Sequence, residues 1–186
     1  MSNTFVADVM KIREQAREKM SDGAITEAYK ANAKQVISVL NEVLATELVC
    51  TLRYKRHYYA AKGIHSLSVK QEFLEHAKEE QEHADAVAER ITQLGGDPDF
   101  NPATLVKRSH SEYREGESLI DMMREDLVAE RIASAAYSEI ARWLGDKDPT
   151  SRRLIERILE KEEEHAEDLV SLLENIGGEN KAKKTG

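Results

Sequence analysis

Two short stretches carry the same pair of metal-type side chains: Glu80-Gln81-Glu82-His83 and Glu162-Glu163-Glu164-His165. Positions i and i+3 of a helix share a face, so each stretch presents a carboxylate beside an imidazole. A lone glutamate among apolar residues precedes each one. Glu47 lies 33 residues before Glu80, and Glu130 lies 32 residues before Glu162. Two helical hairpins of that period bring four carboxylates and two imidazoles to similar heights. Carboxylate and imidazole together suit hard to borderline cations. Charge decides how many ions fit. Four buried carboxylates repel one another and resist ionisation, whereas two divalent ions neutralise them with both imidazoles neutral. Facing inward in a four-helix bundle, such a set makes a di-iron or di-manganese carboxylate site.

Other side chains with chemical potential fall around this set. Tyr54 follows Glu47 by seven residues, and Tyr137 follows Glu130 by seven. Each is either a core tyrosine bonded to a carboxylate or a residue that orients a ligand or donates an electron during oxidation. Cys50 reads as a small buried hydrophobe. His76 reads as exposed, and His57, His65 and His110 belong to no recognisable constellation. Trp143, Tyr58 and Phe73 read as core or subunit-contact residues.

The elements that must position these groups are four long helices. Val36, Leu40, Val43, Leu44, Glu47, Thr51, Tyr54 and Tyr58 follow helical steps from near Asn32 to Lys62-Gly63. A second helix, capped by Ser66 or Ser68, runs through Phe73, Ala77, Glu80, Ala84, Val87, Ile91 and Leu94 to Gly95-Gly96-Asp97-Pro98. Residues 97–112 hold two prolines and no clean period. About 15 residues can extend about 50 Å, enough to run the length of a neighbouring helix of about 28 residues. The stretch therefore reads as a long crossover that makes helices two and three parallel. The third helix is expected from about Glu112 to Leu144. The fourth starts at Thr150 or Ser151 and is expected to stop at Gly177-Gly178. Before the bundle, Val6, Val9, Met10 and Ile12 suggest a short helix ending near Ser21-Asp22-Gly23. The division is thus an extension over residues 1–30, the bundle over 31–178 and a Lys-rich, disordered tail over 179–186.

Composition agrees with an all-α chain: 186 residues, 9 of them Gly and 3 Pro, with 33 % charged and 5 % aromatic. A formal net charge of −8 argues against the whole molecule binding nucleic acid and fits a protein that gathers cations. One cysteine excludes an internal disulfide framework. No signal-peptide core and no run of about 18 apolar residues is seen. A soluble cytoplasmic protein with no membrane partner is the expectation.

Residues 33–176 resemble the ferritin-like superfamily, bacterioferritin in particular. ATELVCTLRY resembles the first helix of that family, with Glu47 and Tyr54 at the positions of its glutamate and near-site tyrosine. EEQEHADAVAERI resembles the second, carrying Glu80 and His83; MMREDLVAERIA the third, carrying Glu130; and ILEKEEEHAEDLVSLLENIG the fourth, carrying Glu162 and His165. The resemblance implies two iron ions per subunit, oxidation of Fe2+ by O2 or H2O2, and storage of Fe3+ as mineral in a hollow shell. By analogy Glu80 and Glu162 bridge the ions, Glu47 and Glu130 are terminal ligands, and His83 and His165 each bind one iron. The family's haem hangs on a Met directly after the second-helix Glu; Gln81 stands there, so no haem is expected. The family's inner-surface iron His corresponds to Glu75.

The chain also lacks the short fifth helix of 24-subunit shells and has an N-terminal extension, an outline that resembles the 12-subunit DNA-protection-during-starvation (Dps) family. A Dps-like homo-oligomer of 12 subunits with a bacterioferritin-type centre is the closest description. Two alternatives differ in class. A rubrerythrin-type di-iron peroxidase would want a further third-helix Glu where Ala133 stands, and usually a rubredoxin-type iron site held by four cysteines, impossible with one. A DNA-coating shell would use Lys181, Lys183 and Lys184, but the acidic balance disfavours it.

Overall fold

In the computed structural model, residues 8–18, 20, 23–63 and 66–182 are described. They form helices α1 (Val9–Glu18), α2 (Ala33–Ala60), α3 (Ser66–Gln93), α4 (Leu105–Arg108), α5 (Leu119–Leu144) and α6 (Pro149–Ala182). The caps follow from sequence. Asn32 accepts the Gln35 backbone N–H at 3.3 Å, and Ser118 accepts that of Asp121 at 3.2 Å. Asp148, followed by Pro149, accepts that of Ser151 at 2.9 Å. Gly95, at φ 78°, closes α3. Its N–H and that of Gly96 return to the carbonyls of Thr92 and Ile91.

Helices α2 and α3 pack along each other, as do α5 and α6; α2 against α5 and α3 against α6 complete the bundle. Two apolar clusters fill it. One joins Val36–Leu44 of α2 to Ala84–Leu94, Ala133–Leu144 and Ile155–Ile158. The other joins Tyr54 and Ala61 to Val69–Ala77, Met122–Leu127 and Leu169–Ile176. Helices α3 and α5 therefore run in the same direction, as the long crossover requires. Each fully buried Leu, Ile or Phe contributes about 1.5–3 kcal/mol. Arg108 ties the crossover to α2 by donating to the Asn41 carbonyl at 2.8 Å, and braces the crossover itself by donating to that of Asp99, also at 2.8 Å.

Several expected boundaries move. The third long helix starts at Leu119, not Glu112, because Gly116 turns the chain at φ 63° and Ser118 supplies the cap. The last helix continues through Gly177-Gly178 to Ala182. Glycine costs a helix about 1 kcal/mol without forbidding it, and no proline follows. Residues 179–182 are thus helical rather than disordered, and 183–186 lie outside the described residues. The N-terminal helix ends at Glu18 with Val9, Met10 and Ile12 exposed; Val6, Ser21 and Asp22 lie outside the described residues. Ile25, Tyr29 and Ala31 do reach the bundle, and Tyr29 donates to Asp148 at 2.9 Å. One correction concerns membranes: α2 is long and apolar enough to cross one, despite lacking an unbroken apolar run. More than half of its apolar window is buried in the bundle, and Glu47 sits within it, so it is a core helix.

Candidate metal centre

The polar side chains lie between the two apolar clusters, where all four long helices contribute one turn. Glu47, Glu80, Glu130 and Glu162 are at most 1 % exposed, and His165 is equally buried. The six expected residues come together as two overlapping groups. Glu47, Glu80, His83 and Glu162 offer ligand atoms within 4.8 Å of one another, as do Glu80, Glu130, Glu162 and His165. Glu80 and Glu162 belong to both groups. His83 Nδ1 lies 3.1 Å from both Glu47 Oε2 and Glu162 Oε1. His165 Nδ1 lies 3.4 Å from Glu80 Oε1 and 3.9 Å from Glu130 Oε2.

The tyrosines cross between hairpins. Tyr54 of α2 donates to Glu130 of α5, and Tyr137 of α5 donates to Glu47 of α2. Each hydroxyl therefore holds the lone glutamate of the other hairpin. Burial first, then the adjacent carboxylate, pushes both phenols well above their usual range. Burial likewise raises the Cys50 thiol, which fits an inert apolar role.

Much of the centre is left unsatisfied. Both oxygens of Glu80 and of Glu162, Oε2 of Glu130 and Nδ1 of His165 have no hydrogen-bond partner among the described residues. Orphaned buried polar atoms are rare in folded proteins and call for an explanation. The protonation pattern shows the same tension. Burial, then the Glu80 charge, pushes Glu47 up to about 8 and also raises Glu130 and Glu162. At Glu80 burial works upward too, but the imidazoles of His165 and His83 outweigh it and hold that carboxyl below the usual range. Burial lowers the imidazoles, yet the facing carboxylates more than reverse it, bringing His83 to about 10 and His165 to about 9. Burial and mutual repulsion thus push Glu47, Glu130 and Glu162 toward the protonated form, while Glu80 keeps its charge against the imidazoles.

Other residues near the centre were not anticipated. His76, expected to be exposed, is 1 % exposed. Its ring stacks on His165 at 4.0 Å, and its Nδ1 lies 3.2 Å from the Tyr54 hydroxyl. It stands four residues before Glu80, so the same helical spacing that identified Glu80 also pointed inward here. Glu79 contacts Nε2 of His165 at 2.8 Å, an outer partner of the kind that fixes a ligand imidazole. His57 joins a second buried group with Arg53 and Asp126. Asp126 takes Arg53 Nε and His57 Nδ1, each at 2.7 Å. His110 anchors the crossover to Thr46; His65 lies outside the described residues. Gln81 contacts Asp85. Phe73 is core, Tyr58 packs on the second cluster, and Trp143 is 45 % exposed.

An all-helical bundle with two overlapping carboxylate–histidine groups defines a dimetal-carboxylate type of protein. The chain belongs to the ferritin family: the ferritin-like domain matches residues 37–178. The bacterial ferritin of Pseudomonas aeruginosa is 32 % identical over 154 residues, covering 78 % of this chain and 93 % of its own. The dodecameric thioferritin of Bacteroides fragilis, a bacterioferritin-related protein, superposes with a TM-score of 0.79 at 30 % identity, covering 82 % of this chain and 92 % of its own. The bacterioferritin of Desulfovibrio desulfuricans, known with its diiron site in different catalytic states, gives a TM-score of 0.70 at 26 % identity, covering 78 % of this chain and 82 % of its own.

Proposed function

We propose that the chain oxidises Fe2+ at an intra-subunit di-iron centre and stores Fe3+ within a hollow homo-oligomer. The observation that carries this reading is the set of orphaned, mutually repelling oxygens on Glu80, Glu130 and Glu162, enclosed by four helices. Two divalent cations would neutralise the four carboxylates, and the donor set of oxygen and imidazole nitrogen suits iron. Glu80 and Glu162, shared by both groups, would serve both ions. Glu47 with His83, and Glu130 with His165, would complete one ion each. Iron supplies the electrons that reduce O2 or H2O2.

The residues around the ions perform the remaining work. Tyr137 and Tyr54 aim the Glu47 and Glu130 carboxylates by their hydroxyl hydrogen bonds. Glu79 holds His165 from behind. On loading, the protons held by the cluster leave, so binding strengthens as pH rises. The apolar clusters on both sides keep the centre dry. Replacing Glu80 or Glu130 by Ala should slow initial Fe2+ oxidation at least about tenfold, or about 1.4 kcal/mol in barrier, with helicity retained. Parent-like oxidation in both variants would remove the proposed centre.

Likeness to a dodecameric thioferritin supports a 12-subunit shell. Light scattering near the mass of 12 chains is expected, and near 24 contradicts it. The storage claim is tested by anaerobic Fe2+ loading followed by oxidant, tracking iron through size exclusion. Iron well beyond the centre's own complement should travel with the protein. Retention of about two ions per chain would favour the rubrerythrin-type peroxidase reading instead. Gel shifts with and without residues 179–186 test DNA coating, which the acidic balance disfavours. Heme-replete expression should give no Soret band, since Gln81 occupies the family's axial position.

A further inference from the structure

We propose a third cation site on the α3–α6 face, formed by Glu72, His76 and Asp168 and taking a first-row divalent ion. Their ligand atoms lie within 4.8 Å of one another. Glu72 and Asp168 are part exposed, at 30 % and 47 %, so a cation can reach them from solvent. His76 is different. Its side chain is 2 % exposed, and its Nε2 is directed at the two carboxylates.

The hydrogen bonding fixes what that nitrogen offers. Tyr54 has one hydroxyl proton, and Glu130 receives it. The 3.2 Å contact between Tyr54 and His76 therefore uses Nδ1–H of the imidazole as donor and the phenol oxygen as acceptor. In the neutral ring this leaves a lone pair on Nε2, which makes no hydrogen bond among the described residues. It lies 3.4 Å from Glu72 Oε1 and 3.8 Å from Asp168 Oδ2. A lone pair aimed at two carboxylates is repelled unless a cation stands between them. An imidazolium in that place would draw its partners to about 2.7–2.9 Å. The observed gaps are wider and approach the spacing of about 3.0–3.5 Å between neighbouring ligands on an ion with bonds of about 2.1 Å. Tyr54 then plays the outer partner that sets the tautomer of a ligand histidine.

The site adjoins the main centre through one ring stack, since His76 lies on His165 with centroids 4.0 Å apart. A role in delivering iron to that centre rests on the di-iron reading; binding at the site does not. The test is an anaerobic equilibrium titration of the intact oligomer with Co2+, followed by its visible absorption. The parent should take up one equivalent per chain more than Asp168→Asn and Glu72→Gln. Both changes are near-isosteric and at part-exposed positions, so the fold is kept. His76→Gln should lose the same equivalent. In a Glu80→Ala, Glu162→Ala background, one equivalent should remain and disappear on adding Asp168→Asn. If the Co2+ count is unchanged by Asp168→Asn and Glu72→Gln, the third site does not exist, whatever the main centre binds. If one equivalent is lost while the main centre takes none, the third site stands and the di-iron reading falls.

Discussion

The bundle contains two buried polar clusters within a few residues of each other, and they differ in one respect. Around Asp126, the charges close on themselves. The carboxylate takes Arg53 Nε and His57 Nδ1, while Arg53 also reaches the Glu112 carbonyl at 3.2 Å and Cys50 Sγ at 3.5 Å. Around Glu80, acids outnumber bases and carboxylate oxygens are stranded. The first cluster pairs its charges within the protein, leaving only His57 Nε2 without a hydrogen-bond partner among the described residues. On the proposed reading, cations complete the second. Charge balance, rather than burial or polarity, is what differs between the two clusters.

The sharpest way to break this contrast is to unbalance the closed cluster. Asp126→Ala strands a buried guanidinium and should cost about 3–5 kcal/mol, read as a large fall in the denaturation midpoint. A loss under about 1 kcal/mol would mean that the Arg53–Asp126 pair does not hold α2 to α5.

The open cluster should behave differently. Glu162→Gln keeps the shape of a carboxyl that burial and the neighbouring carboxylates already push toward its protonated form, so the stability of the metal-free protein should change little. Glu80→Gln should destabilise it, because Glu80 is the carboxylate that both His83 and His165 face. Equal effects of the two changes would erase the distinction drawn between them.

A further test is a pH slope. His83 and His165 are raised from 6.5 to about 10 and about 9, and Glu47 from 4.5 to about 8. In each case the folded state keeps a proton that the unfolded chain has released. That stabilisation is full below the unfolded value and is lost as pH rises through the folded one. Between pH 7 and 9 all three act in the same direction. Metal-free stability should fall as pH rises through this window, by up to about 1.4 kcal/mol per pH unit for each proton held, and metal loading should flatten the slope. A rising slope would show that the protons are not held where the geometry puts them.

The main centre was legible in sequence because a helix converts spacing directly into a shared face. Glu-x-x-His twice, each after a lone inward Glu, left little freedom once four helices were recognised. Partners across helices were less legible. Nothing in the spacing said that Tyr54 would serve Glu130 rather than Glu47, since that depends on the offset between hairpins. Asp126 and His76 were missed although each stands four residues before a site glutamate. His76 reads as surface and Asp126 carries no signal of its own in the sequence; only packing shows that a neighbouring helix covers them. The start of α5 and the end of α6 differ from the spacing because a glycine permits a break without imposing one: Gly116 turns the chain before α5, whereas α6 runs through Gly177-Gly178.

On the proposed reading, the stranded carboxylates of Glu80, Glu130 and Glu162 hold two cations. Anomalous diffraction at the iron edge, from crystals loaded with Fe2+ under anaerobic conditions, tests it directly. Two peaks per chain are expected within the four-helix layer, both flanked by Glu80 and Glu162, one beside Glu47 and His83 and the other beside Glu130 and His165. A fully loaded crystal with no iron between Glu80 and Glu162 would contradict the account.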